Sequence, residues 1–207
     1  MRKATKTVAA WFGIAAGIAG LEHGYFEILQ GNTKPEGLMI VSMGPPCVPE
    51  EIWNACEPAM TILPSFLITG ILSVILGLLI LTWSAAFVHR KNGGAILILL
   101  STALLLFGGG IFPPLIGLVG GAAGAQINKP LPDKPAGSLL RRTAKLWPWP
   151  LVIFMVWVWG QFVVGYFFND FLKSIMGFGL LLILTMLPLS VYTGYAHDAA
   201  GQPLHGG

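Results

Sequence analysis

Of 207 residues, 55% are hydrophobic and only 10% are charged, against roughly 25% charged in an average globular chain. So few charges cannot cover a water-soluble domain of this size, whereas lipid tails solvate apolar side chains and exclude charge. The formal net charge of +3 is too small to point to nucleic acid, and the expected partner is the lipid bilayer.

The chain opens with the basic stretch MRKATK, followed by an apolar run over residues 8–29. A basic start with small residues such as Gly17 and Ala19 also fits a cleavable signal peptide. A run of this length spans about 30 Å as a helix, which favours a retained transmembrane segment. Residues 30–57 form a polar loop, expected outside. A second span is expected over 59–88, with Pro58 suited to a first helical turn because its missing N–H would have no intrahelical partner.

Residues 95–127 consist of two apolar arms around a break that holds Gly108, Gly109, Gly110, Pro113 and Pro114. Three glycines and two prolines so close together cannot continue a regular helix. Each arm alone would reach only about 20 Å. The loop 128–146 is polar and basic, and two more spans are expected over 147–168 and 171–195, the latter bent near Pro188. The tail 196–207 is polar and glycine-rich and is expected to be mobile.

Counting Lys and Arg decides between two topologies. If 95–127 crosses once, six basic residues lie on each side; if it dips and returns, ten lie inside and only Lys34 and Lys173 outside. The second arrangement obeys the positive-inside rule, and it puts Trp11, Trp83, Trp147 and Trp149 near the cytoplasmic helix ends, where aromatic belts occur. The expected fold is therefore an all-α integral membrane protein, a single transmembrane domain of four helices plus a broken helical hairpin. That hairpin is either re-entrant or a pair of short tilted crossings, and both termini are cytoplasmic.

The densest chemistry lies in Glu22, His23 and Glu27. Ionisable groups at membrane depth are costly, so they usually face protein or water. Gly13, Gly17, Gly20 and Gly24 form one smooth seam, with His23 and Glu27 beside it on the packed side and Glu22 almost opposite. His23 and Glu27, four apart, can touch and form a protonatable or ion-binding site in the outer leaflet. The alternative is a structural ion pair, with Lys173 or Tyr166 as further partners.

The break itself could line an ion or substrate path with unpaired backbone groups, or be a plain turn near the outer interface. The seam, and the pairs Gly117/Gly121 and Gly120/Gly124, serve either internal packing or contact with a second copy or another membrane protein. Cys47 and Cys56, both expected outside, suit a disulfide, with two free thiols as the alternative. One His and two Glu make an incomplete metal set, so neither metal, cofactor nor catalytic residue is expected.

Three stretches, LEHGYFEILQGN, FVHRKNGGAILILLS and FGGGIFPPLIG, resemble small prokaryotic polytopic membrane proteins without an assigned function. The resemblance spans roughly the first three-fifths of the chain. It implies a prokaryotic cytoplasmic membrane and carries over no activity or site residue. The leading functional expectation is a small transporter or channel-like protein. A non-catalytic accessory or assembly subunit comes second. An enzyme acting on lipid comes last, since no nucleophile–base pair or full metal set is visible.

Overall fold

The computed structural model describes residues 1–42, 56–131 and 137–201. The protein is mostly helical, and four of its helical segments are long and apolar enough to cross a membrane: Lys3–Leu29, Phe66–Phe87, Ser138–Phe167 and Asn169–Ala200. In chain order the elements are α1 (Lys3–Leu29), β1 (Met39–Val41), β2 (Pro58–Met60), α2 (Phe66–Thr82) with a π-helical turn (Trp83–Phe87), α3 (Gly93–Leu106), α4 (Phe112–Gly124), α5 (Ser138–Ala144), α6 (Trp149–Phe167) and α7 (Asn169–Ala200).

Two expectations are corrected here. Pro58 does not open a helix: Pro58–Met60 pairs antiparallel with Met39–Val41 as a two-stranded sheet. The second long helix begins only at Phe66, where the Ser65 hydroxyl accepts the Ile68 N–H, a serine N-cap just after Pro64. The tail also differs. Helix α7 runs through Pro188 to Ala200, and Asp198 closes the far end of the chain. Its carboxylate accepts from the backbone N–H groups of Ala4 at 3.0 Å and Thr5 at 2.8 Å and from the Thr5 hydroxyl at 2.7 Å. A carboxylate on a helix N-terminus satisfies donors that have no intrahelical acceptor and complements the helix dipole. The described part of the tail is thus docked, and residues 202–207 lie outside the described part of the chain.

Helices α3 and α4 form an antiparallel hairpin whose two outer ends sit at the same end of the bundle. There Asn128 donates to the His89 carbonyl at 2.9 Å, and the Arg2 guanidinium donates to the Pro130 carbonyl at 2.8 Å. The hairpin tip lies alongside His23 and Glu27, about six turns of α1 beyond Arg2. The basic loops expected to lie together do so at the Arg2 end: Arg90 and Lys91 face Asn128 and Lys129 across one shallow cleft.

The glycine seam is filled from within the chain. A Cβ on Gly24 would fall 2.7 Å from the Gly70 carbonyl oxygen, and one on Gly17 would fall 2.8 Å from that of Gly77. Helices α1 and α2 therefore touch backbone to backbone, a geometry only glycine permits. Gly117, Gly120, Gly121 and Gly124 are also closely covered, by side chains such as Ser101, Phe12 and Ile98 and by the backbone of Gly94.

The core is apolar, with Phe12, Ile80, Leu97, Leu104 and Phe154 fully buried, but small hydroxyl residues share it and the surface is apolar too. Thr69, Ser73, Ser84, Ser101, Ser190 and Thr193 are buried, while Ile71, Ile75, Leu78, Leu99, Phe178 and Leu181 are exposed.

Candidate functional site

The structure brings His23 and Glu27 to the hairpin tip, but their partners are not each other. His23, 5% exposed, points its Nδ1 at the Ser42 hydroxyl at 2.5 Å and its Nε2 at the Glu57 carboxylate at 3.1 Å. No His23–Glu27 ion pair forms among the described residues, and Lys173 instead pairs with Asp170 at 3.0 Å. Tyr166, the other suggested partner, is 84% exposed.

The local fold explains the exchange. At the end of α1 the Gln30 amide donates to the carbonyls of Val41 and Ser42, which lays the end of β1 over His23. The Ser42 N–H donates to the Glu57 carbonyl at 3.1 Å, and the Ser42 hydroxyl reaches the same oxygen at 3.2 Å. The Ser42 hydroxyl thus stands between the imidazole Nδ1 and the Glu57 carbonyl, and the Glu57 carboxylate meets the other ring nitrogen, Nε2.

Cys56, next to Glu57 and at φ 66°, is disulfide-bonded, so Glu57 hangs from a cross-linked turn. Cys47, the other half of the expected pair, lies outside the described residues.

Glu27 is fully buried, and among the described residues neither carboxylate oxygen has a hydrogen-bond partner. It lies against Gly108 and beside Thr69, whose hydroxyl pairs with that of Thr61 at 2.6 Å. Gly108 at φ 90° and Gly110 at φ 80° occupy backbone conformations that favour glycine. A Cβ at either position would also strike Glu27 or His23 respectively.

The tip is less open than an interrupted helix lining a path would be. The Gly108 N–H donates to the Met60 carbonyl at 2.8 Å, the Ile62 N–H to that of Leu106 at 3.1 Å, and the Ser73 hydroxyl to that of Phe107 at 2.5 Å. The Gly108 N–H and the Leu106 and Phe107 carbonyls on this side of the break are therefore paired. Gly109 donates back to Leu104 at 2.9 Å, while Pro113 and Pro114 fall in the first turn of α4, where proline is compatible with a helix start.

Beside His23 lies a partly open cavity of about 330 Å³ between α1 and α4 on one side and α6 and α7 on the other. Glu22, His23 and Glu57 form its polar end with Gln161; Phe112, Pro113 and Ile116 bring α4 to its wall. Glu22 is opposite the seam, as its position on α1 predicts, but that face is covered by the last two helices and so belongs to the cavity. Ser42 and Glu57 are the members that reading along the chain misses; the only hint is that Glu57 stands between Cys56 and Pro58. Among the described residues no group of three His, Cys, Asp or Glu side chains is placed to hold a metal ion.

Fold and site together define a mostly helical bundle with four membrane-length apolar helices and a buried ionisable cluster at one end. No protein-family model, curated protein or solved structure matches the chain.

Proposed function

We propose that this chain is a polytopic membrane protein, of the small transporter or channel-like kind, that uses the cluster around His23 and Glu27 to pass a proton or small solute. Exposed leucine, isoleucine and phenylalanine around buried serine and threonine is the arrangement a lipid solvent favours. The end carrying Arg2, Arg90, Lys91 and Lys129 is assigned to the cytoplasm of a prokaryotic cell by the positive-inside rule. The His23 end is then outer, and α3–α4 is a hairpin that enters and returns.

The observation that carries the transport reading is Glu27: fully buried, with both oxygens unpartnered among the described residues, beside a His–Glu pair that opens on a cavity. A buried carboxylate without partners costs several kcal/mol, and a bound proton or cation removes that cost. Such groups at membrane depth commonly mark proton or ion routes.

Reconstitution into liposomes with a pH-sensitive dye inside tests it. Under an imposed potential, wild-type vesicles are expected to acidify faster than empty ones, and Glu27→Gln and His23→Ala to fall to the empty-vesicle rate. Wild-type flux equal to that of empty vesicles, or undiminished flux in both variants, rejects the reading.

A second reading, an accessory or assembly subunit, is favoured by the aromatic cluster Tyr166, Phe167, Phe168 and Phe171, all well exposed around the α6–α7 turn. With the α1 and α4 glycines filled internally, this is where a membrane partner would sit. A stoichiometric partner co-purifying in mild detergent and lost on Phe167→Ser would support it; a clean monomer would not.

A further inference from the structure

The cavity beside His23 has a composition that narrows its ligand further than transport alone requires. Its polar end carries two carboxylates, Glu22 and Glu57, and one imidazole, with no lysine or arginine on the described wall. The remaining wall is apolar and includes three aromatic rings, Phe112, Trp159 and Phe162. Trp159 and Phe162 lie nearly parallel, with centroids 6.3 Å apart and planes at 28°. Aromatic faces beside carboxylates recognise organic cations, because the ring quadrupole and the carboxylate attract the same charge. An anionic headgroup would meet the two carboxylates at this end.

The volume is also limiting. About 330 Å³ is near the lower end of small-molecule pockets, room for a short amphiphile and not for a two-chain lipid. The cavity is closed on one side by the tightly packed α1 and α4. On the other side are α6 and α7, where Gly177 has open space in front of it.

We propose that this cavity binds a small cationic amphiphile, an amine or quaternary ammonium on a short apolar chain, with the head between Glu57 and Trp159. The proposal rests on the membrane reading above, but not on transport: binding and flux are separate measurements. In nanodiscs, calorimetric titration with octyltrimethylammonium is expected to show saturable binding absent from empty discs. Octanesulfonate and octanol are expected to bind at least about ten-fold more weakly, the scale of a desolvated cation–π contact with a nearby carboxylate.

Trp159→Ala and Glu57→Gln should each weaken the cation about ten-fold, while Trp149→Phe, on an exposed tryptophan outside the cavity, should not. Each variant's thermal midpoint in the same discs shows whether it is folded. Should Glu57→Gln fail to fold, Trp159→Ala carries the comparison. Equal affinity for the cation, the alcohol and the sulfonate, or unchanged affinity in a folded Trp159→Ala, overturns the proposal. Cation binding without flux leaves it standing and removes the transport reading alone.

Discussion

Helices α1 and α2 meet backbone to backbone, whereas α6 and α7 meet the rest of the chain largely through side chains. In the first region Gly24 and Gly70 face each other with no room for a methyl group. In the second, Gly160 and Gly177 look out on open space. Yet Gly179 lies against Trp157 and Gly194 against Val8, so packed and open glycines stand on the same helix α7. The difference teaches that in a chain this rich in glycine, the neighbour and not the residue decides what a glycine does. It also explains where the cavity is: a tight unit cannot hold a ligand, so the space falls where it meets a looser one.

The joint between the regions is the strongest place to break the comparison. Phe12 of α1 is fully buried, with its ring 4.9 Å from that of Phe154 on α6. Phe12→Ala is expected to cost about 3 kcal/mol and to expose α6 and α7 to limited proteolysis before α1 to α4. Uniform cleavage across both regions would show that they are not separate units.

Next in size, Gly24→Ala should cost about 2 kcal/mol by forcing α1 and α2 apart, read as a lower thermal midpoint in detergent. An unchanged midpoint would mean the helices slide without loss. Asp198→Ala removes the cap on α1 and should cost about 1 kcal/mol, with Asp198→Asn recovering part of it, in the same thermal assay. The smallest effect has the opposite sign. Gly160→Ala, with nothing near its new methyl, should stabilise α6 by about 0.5 kcal/mol. A loss there would mean the open space has an occupant.

Much of this architecture can be read along the chain, because a bilayer-length apolar run and a glycine spacing are local signals. The turn-back after Gly108 is legible because glycine and proline break helices wherever they fall. The burial of His23 and Glu27 follows from their angle to the seam. What escapes is everything decided by contact at long range. Nothing near His23 in sequence indicates Ser42, 19 residues on, or Glu57, because a three-residue strand has no period to detect. Pro58–Met60 hides within an apolar run continuous with α2. Asp198 reads as a tail residue because its partners, Ala4 and Thr5, lie at the opposite end of the chain.

That last contact sets an order of events during synthesis. Thr5 and Asp198 are 193 positions apart, so at the usual pace of about 5–20 residues per second the ribosome takes about 10–40 s to deliver the carboxylate after α1 has begun to emerge. For all of that interval the first turn of α1 must leave its backbone N–H groups to water. Helix α1 is therefore begun long before its first turn is finished.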